Sequence, residues 1–184
     1  MDITQTPLPG LVILKPKRFC DRRGFFCEAY SKRRLAEAGL DVDFVQDNLA
    51  VSKLRGTLRG LHFQKDPRAQ VKLVSVVKGA ARDVVVDIRQ SSPTFGLNFS
   101  VLLSAEEGNQ IFVPIGFAHG FLTLEPDTML SYKVSNYYSP DHDSGIRFDD
   151  SRLGIDWGLD PASIITSDKD RHLPLFDPKT RYFP

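Results

Sequence analysis

The chain has 184 residues, which is enough for one domain with a substantial core and too few for two ordinary domains. Hydrophobic residues make up 41% and charged residues 26%, which excludes a disordered chain. The 24 basic and 23 acidic residues leave a net charge of +1, so no overall field favours nucleic acid or an anionic membrane. An anionic ligand therefore needs a local cluster of cations.

The sequence carries no targeting signal that we recognise. Residues 1–6 lack the basic region and apolar run of a signal peptide, and no run of about 18 apolar residues predicts a membrane span. Cys20 and Cys27 are the only cysteines, and their spacing matches no zinc motif. We expect a reduced, cytoplasmic protein with a single domain over residues 1–184.

Short apolar segments separated by Gly, Pro, Ser or Asp predict a mainly β fold. The predicted strands are residues 11–14, 71–77, 81–88, 99–103, 110–113, 117–124 and 129–134. Residues 31–38 predict one helix, because Ser31 can cap its first amides and Gly39 suits the left-handed position after its end. A single turn is predicted at residues 104–107, and residues 149–184 predict loops with short turns. This spacing favours a sandwich or barrel over a parallel sheet.

One stretch stands out chemically. Arg59-Gly60-Leu61-His62-Phe63-Gln64 is followed closely by Gln70-Val71-Lys72-Leu73-Val74, which sets a histidine and a lysine on neighbouring apolar segments. A neutral imidazole can accept a proton, and a nearby ammonium can stabilise the anion that results. Removal of a proton next to a carbonyl needs this pair. Tyr132, on a later strand, is a candidate proton donor.

Strand alternation constrains which of these side chains can share a pocket, because residues of equal parity face the same way. Tyr132 shares a face with Tyr138 if the chain stays extended between them. Arg59 and His62 have opposite parity, so both can reach one pocket only if there is twist or a bulge near Gly60.

A metal site is an alternative. Pro114-x-Gly116-x-x-His119 resembles the second metal motif of the cupin superfamily, whose first motif needs a His-x-His pair. Here the corresponding residues are His62-Phe63-Gln64, and a glutamine amide is a poor replacement for an imidazole ligand. We therefore expect no bound metal. A metal-dependent cupin oxygenase and a non-catalytic sugar-binding cupin are the alternatives from other functional classes.

Ten short motifs follow one another along the chain. They are Arg23-Gly24-Phe25-Phe26 with Glu28, Phe44-Val45-Gln46-Asp47-Asn48, Arg59 to Gln64, Gln70-x-Lys72-Leu73-Val74, Asp83-Val84-x-Val86-Asp87-x-Arg89, Ser92-Pro93-Thr94-Phe95-Gly96, Pro114-x-Gly116-Phe117-Ala118-His119-Gly120-Phe121, Tyr132-Lys133, Asp156-Trp157 and Ser167-x-Lys169-Asp170. Over nearly its full length the chain resembles dTDP-4-dehydrorhamnose 3,5-epimerases.

The resemblance implies a cupin-type double-stranded β-helix (jelly roll) with a few short helices. It also implies a homodimer in which an N-terminal segment reaches into the neighbouring subunit's site. The expected activity inverts C3 and C5 of dTDP-4-dehydro-6-deoxy-D-glucose to give dTDP-4-dehydro-L-rhamnose, without a cofactor. This step belongs to dTDP-L-rhamnose biosynthesis, which feeds surface polysaccharide such as lipopolysaccharide.

The resemblance also implies roles for individual residues. His62 is expected to remove the protons at C3 and C5, and Asp170 to orient it. Lys72 is expected to hold the C4 enolate oxygen, and Tyr132 to return a proton from the opposite face. Related epimerases that invert only C3 or only C5 keep the same His, Lys and Tyr, so a single-position epimerase stays open.

The implied contacts to the nucleotide sugar are mostly polar, and Tyr138 is expected to stack on the thymine. They are Arg23, Glu28, Gln46, Asp47, Asn48, Arg59, His119, Tyr138, Asp143 and Lys169. Arginine suits a diphosphate because its forked donors pair with two oxygens. Asp143 stands where the family usually has a glutamate.

Overall fold

A computed structural model describes all 184 residues, which form thirteen strands and two short helices. The strands are β1 (Asp2–Gln5), β2 (Val12–Lys15), β3 (Arg18–Asp21), β4 (Gly24–Cys27), β5 (Gln46–Ser52), β6 (Leu58–Gln64), β7 (Lys72–Lys78), β8 (Ala80–Asp87), β9 (Asn98–Ser104), β10 (Gln110–Val113), β11 (Phe117–Thr123), β12 (Thr128–Val134) and β13 (Asp143–Gly145). The helices are α1 (Lys32–Glu37) and α2 (Asp168–Arg171). Single 3₁₀ turns lie at Pro140–His142 and Pro161–Ser163.

Two antiparallel sheets make up the body of the protein. The first sheet has the strand order β1-β2-β10-β7-β12-β5, and the second has the order β13-β6-β11-β8-β9. Strands β3 and β4 pair only with each other, as a separate hairpin. The predicted cupin-type jelly roll is confirmed.

The core lies between the two sheets and on their outer faces. Between them, Val74 and Ile111 of the first sheet pack with Val85 and Phe121 of the second. The residues after β13 carry apolar side chains such as Trp157 onto the outer face of the second sheet. These loops, which lack regular strands as predicted, therefore close a second core.

The predicted helix is confirmed as α1. Ser31 accepts a hydrogen bond from the Arg34 amide, and Gly39 follows the C-cap at φ +78°. Leu35 is the buried residue of this helix and packs against Leu14 and its neighbours on the outer face of the first sheet.

Strand β6 contains a bulge, as expected if Arg59 and His62, which have opposite parity, are to reach one pocket. His119 pairs with His62 and Phe121 pairs with Arg59, so Gly120 alone lies opposite Gly60 and the residue after it. The extra residue in β6 turns both the guanidinium and the imidazole toward the same cavity. Gly60 adopts φ +127°, where a side chain is strongly disfavoured.

We predict that Gly60→Ala destabilises the protein by about 3 kcal/mol or more, because backbone strain and a steric clash add. A Cβ at this position would lie 2.6 Å from the Gly120 Cα and 2.9 Å from the His119 carbonyl oxygen. The matched control is Gly39→Ala, which has a positive φ but no atom within 4 Å of the added Cβ. Urea unfolding measures both; equal losses in the two variants would contradict the close packing at Gly60.

Candidate active site

A cavity of about 660 Å³ opens between the two sheets, near the bulge in β6. This size is typical of sites that bind small molecules. His62, Arg59 and His119 line it from the second sheet, and Lys72 and Tyr132 line it from the first. A further wall comes from the segment that leads into α2 and from α2 itself: Ile165, Thr166, Ser167, Lys169 and Asp170.

His62 is held by a carboxylate from a distant part of the chain. Its Nε2 lies 2.7 Å from Asp170 Oδ1, and the imidazole side chain is 31% exposed toward the cavity. A carboxylate on Nε2 favours the neutral tautomer in which Nε2 carries the proton, so Nδ1 keeps the lone pair. The arrangement provides a base and a carboxylate that stabilises the imidazolium once formed.

Asp170 is positioned by its own short helix. Ser167 caps α2 by accepting a hydrogen bond from the Asp170 amide, and Asp170 Oδ2 accepts one from the Gly60 amide at 3.1 Å. Burial raises the pKa of Asp170, but the hydrogen bonds from His62 and Gly60 outweigh burial and lower it. The carboxylate therefore stays ionised at neutral pH.

Lys72 lies at the start of β7, and its Nζ donates to the His62 carbonyl oxygen at 3.4 Å. Burial of the ammonium lowers the pKa of Lys72 from 10.5 to about 8, although Asp83 and Asp143 both act to raise it. At neutral pH most of this lysine is charged, so it can stabilise a neighbouring oxyanion.

Tyr132 comes from β12, in the sheet opposite the one that carries His62. Its register neighbour in β7 is Val74, two residues along the strand from Lys72. Burial raises the pKa of Tyr132 above its ordinary value of 10, against the opposing effect of Arg59. The phenol is therefore protonated at neutral pH and available as a donor. A base and an acid thus approach the cavity from facing sheets.

His119 forms a second histidine–carboxylate pair. It lies directly opposite His62 across the β6–β11 pairing, and its Nε2 is 2.8 Å from Asp83 Oδ2. Both residues are buried, and Asp83 Oδ1 has no hydrogen-bond partner. Each of the two pocket histidines is therefore held by a carboxylate through Nε2.

A smaller lobe of about 250 Å³ adjoins the main cavity, and His62, Lys72, Tyr132 and Lys169 line both. The other predicted contacts that line this lobe are Gln46, Asn48, Tyr138 and Asp143. The Tyr138 hydroxyl donates to Asp143 Oδ2 at 3.2 Å, and the Lys169 ammonium pairs with the same oxygen. Because β12 ends at Val134, Tyr138 reaches the lobe from the following loop rather than from an extended strand.

Three predicted contacts do not line the cavity within a single chain. Arg23 pairs with Asp21 on the β3–β4 hairpin, and Glu28 pairs with Arg34. Asp47 pairs with Lys133 on the outer face of the first sheet. All other predicted site residues line the main cavity or its smaller lobe.

Two residues near the site received no role from sequence reasoning. Asp83 is a buried acid in a strand of valines, which is a recognisable signal for a paired carboxylate. In the sequence, Gln64 stands out only at the place of a cupin metal ligand, and the lobe that it lines combines strands with loop residues whose packing sequence alone does not predict.

None of the helices is long and apolar enough to cross a membrane.

Comparisons with known proteins agree with one family. The sequence profile described as dTDP-4-dehydrorhamnose 3,5-epimerase matches residues 5–178. The dTDP-4-dehydrorhamnose 3,5-epimerase of Salmonella typhimurium is 46% identical over 178 residues, which are 96% of each chain.

Two solved structures give the same result. The dTDP-4-dehydrorhamnose 3,5-epimerase of Bacillus anthracis, solved with TDP and pyrophosphate bound, is 49% identical with a TM-score of 0.92 and covers 95% of this chain and 99% of its own. A 3,5-epimerase from Legionella pneumophila in complex with dTDP-4-keto-L-rhamnose is 43% identical with a TM-score of 0.90 and covers 95% and 92%. The chain, with its two histidine–carboxylate pairs, half-buried lysine and facing tyrosine, belongs to the dTDP-4-dehydrorhamnose 3,5-epimerase family of isomerases.

Proposed function

We propose that the protein inverts both C3 and C5 of dTDP-4-dehydro-6-deoxy-D-glucose to give dTDP-4-dehydro-L-rhamnose, using only its own side chains. The activity is assigned to one cytoplasmic domain of residues 1–184, within dTDP-L-rhamnose synthesis. The observation that carries the proposal is the position of His62 and Tyr132 on facing sheets of one cavity. Inversion at carbon needs a base on one side of a planar intermediate and an acid on the other.

His62 acts as the base in this mechanism. C3 and C5 both neighbour the C4 ketone, so loss of a proton from either carbon moves an electron pair into the carbonyl and gives an enolate. The imidazole takes that proton and becomes an imidazolium, which Asp170 stabilises at 2.7 Å. One base serves both carbons if the sugar ring turns or reseats between the two steps.

Lys72 and Tyr132 complete each step. The Lys72 ammonium stabilises the oxyanion on C4, where negative charge is largest. Tyr132 then gives its phenolic proton to the opposite face of the carbon, and the ketone re-forms. Solvent reprotonates the tyrosine and removes the proton from His62, so each inverted carbon carries a hydrogen from water.

The nucleotide part of the substrate occupies the smaller lobe and the part of the main cavity next to Arg59 and Lys169. Arg59 and Lys169 supply positive charge for the diphosphate, as the near-neutral composition requires. Tyr138 is 55% exposed, so its ring is free to stack on the thymine. Asp143 keeps the carboxylate of the usual glutamate with a shorter reach, and its bonds to Tyr138 and Lys169 place it in the lobe.

A homodimer with shared sites accounts for two of the three predicted contacts that lie outside the cavity, Arg23 and Glu28. Arg23 sits on a hairpin that joins neither sheet and exposes Phe19, Phe25 and Phe26 by 50%, 54% and 67%. Exposed aromatic side chains on a projecting element are typical of an interface. In a two-fold dimer, the hairpin of each subunit can bring Arg23 and Glu28 to the partner's cavity.

The shared site predicts complementation between two inactive variants. Arg23→Ala and His62→Ala are each expected to be nearly inactive alone. In random mixed dimers half of the molecules are heterodimers with one intact site, so coexpression restores about a quarter of wild-type activity. The measurement is turnover by the purified mixture. Activity no greater than that of the separate variants would count against a shared site.

The proposed reaction itself is tested in deuterated water. Wild-type enzyme incubated with the 4-keto sugar nucleotide is expected to incorporate deuterium at both C3 and C5, with rhamnose configuration in the product. Mass spectrometry and NMR assign the labelled carbons. Label at one carbon alone would overturn the double inversion in favour of a single-position epimerase. No label at either carbon would exclude proton abstraction altogether.

A further inference from the structure

One buried amide holds the loop that carries Tyr138. Gln64 lies on the same strand as His62, two residues further on, and is 4% exposed. Its Nε2 donates to the Arg68 carbonyl oxygen at 2.6 Å and to the Tyr137 carbonyl oxygen at 3.2 Å. Its Oε1 accepts a hydrogen bond from the Ser139 amide at 2.8 Å. Three backbone groups from two loops are therefore satisfied by a single side chain.

The two bonds to residues 137 and 139 fix the backbone on both sides of Tyr138. The Tyr138 amide is itself held by Gln46 Oε1 at 3.2 Å. The Tyr138 side chain, in contrast, is 55% exposed and is tied only through its hydroxyl. The orientation of the ring therefore depends on the backbone that Gln64 holds.

The chemistry of an amide is essential to this arrangement. Gln64 donates two hydrogen bonds and accepts one, whereas a neutral imidazole donates one and accepts one. An apolar side chain of the same length would leave the Ser139 amide and two carbonyl oxygens without these partners. Unpaired buried backbone groups are costly, so the loop would move to rehydrate them.

We propose that Gln64 is a positioning residue that sets Tyr138 for recognition of the nucleotide base, and that it contributes little to the chemistry at the sugar. This inference rests on the proposed function, because it takes the base of a thymidine nucleotide as the group that meets Tyr138. The inference predicts that two kinds of ligand respond differently to loss of Gln64. Ligands that carry the base bind more weakly, and ligands that carry only the diphosphate bind as before.

The test compares Gln64→Met, which keeps side-chain length and loses all three hydrogen bonds, with the wild type. We expect the Kd for dTDP to rise about tenfold, since stacking on an aromatic ring is a substantial part of nucleotide affinity. The Kd for inorganic pyrophosphate stays unchanged. In turnover of the 4-keto sugar nucleotide, KM rises with the dTDP Kd while kcat changes little. Isothermal titration and steady-state kinetics provide these readouts.

A matched control removes a comparable bond on the far edge of the second sheet. Asn98 Nδ2 donates to the Leu153 carbonyl oxygen at 2.7 Å, so Asn98→Leu also frees a loop carbonyl. We expect Asn98→Leu to lower stability without changing the dTDP Kd. If Gln64→Met fails to fold, Gln64→Glu keeps the acceptor for Ser139 while opposing the two carbonyl oxygens, and hydrogen exchange of residues 137–139 reports the loosened loop.

Four results would overturn the inference. These are an unchanged dTDP Kd in Gln64→Met, equal weakening of dTDP and pyrophosphate, a fall in kcat without a rise in KM, and unchanged hydrogen exchange at residues 137–139 in Gln64→Glu. If the wild type binds dTDP normally, any of the first three results would overturn this inference and leave the proposed function intact. A wild-type protein that binds no dTDP would overturn the proposed function and this inference together.

Discussion

His62→Ala is expected to lower kcat by about 10²–10⁴-fold, because a positioned general base contributes that much to proton transfer. His62 faces the cavity with its other ring nitrogen unbonded, its side chain is 31% exposed against 9% for His119, and Asp170 lies 2.7 Å from its Nε2. Asp170→Asn is expected to cause a smaller loss, since the base remains but loses the carboxylate that stabilises its protonated form. Steady-state turnover measures both.

Binding provides the control for this prediction. The dTDP Kd of His62→Ala is expected to stay close to the wild type. His62 lines the smaller lobe, but the contacts proposed for the nucleotide there come from other side chains, such as Gln46, Asn48 and Tyr138. A variant that keeps kcat within about tenfold of wild type would exclude His62 as the base. A variant with lost activity and equally lost dTDP binding would indicate a damaged site instead.

The kcat/KM of the wild type is expected to fall as pH rises through about 8, because Lys72 has a pKa of about 8 in the free enzyme. Below that pH the ammonium is charged and stabilises the enolate; above it the amine is neutral and the stabilisation is lost. Asp83 and Asp143 face this lysine and hold its pKa up against burial, while Tyr132 titrates at a higher pH. Lys72→Met is expected to lose about 10²–10³-fold in kcat across the pH range.

Lys72→Arg separates the charge of this residue from its position. A guanidinium does not titrate near neutrality, so the alkaline fall near pH 8 is expected to disappear while the maximal rate drops. A pH–rate profile of the two proteins decides the matter. An alkaline limb near pH 8 that persists in Lys72→Arg would assign it to another group.

The elements that sequence predicted best are those whose signal is local. Capping by Ser31 and the glycine at 39 defined α1, and runs of Val, Ile and Phe defined the inner strands. The edge strand β5 was missed because its alternation mixes Asp and Asn with Leu and Val, and half of its residues face solvent. Its inward-facing residues Gln46 and Asn48 are polar because they line the smaller lobe, so the strand lacks an apolar face.

The pairings proposed to be catalytic depend on long-range folding, and sequence analysis could assign them only through the family resemblance. His62 and Asp170 lie 108 positions apart, and a four-residue helix aims the carboxylate. Strand parity alone separated Arg59 from His62, and the bulge at Gly60 reverses that conclusion. No local sequence signal predicts that Arg23 lies away from the cavity of its own chain. Its position follows from the β3–β4 hairpin, which pairs with neither sheet.

The jelly roll itself supplies the stereochemistry of the proposed reaction. Because the base belongs to one sheet and the acid to the other, a flat intermediate between the sheets has one on each face. The two sheets pack against each other through a buried apolar core, which suits proton transfers that require fixed distances.

The separate roles of His62 as base and Tyr132 as acid are tested most directly by exchange of the sugar's C3 and C5 hydrogens with solvent in the absence of inversion. In deuterated water, Tyr132→Phe is expected to wash solvent deuterium into the 4-keto sugar with retention of configuration, because the enolate forms and is reprotonated on the His62 face. His62→Ala is expected to show neither exchange nor inversion. Exchange that survives in His62→Ala, or inversion that survives in Tyr132→Phe, would contradict the account.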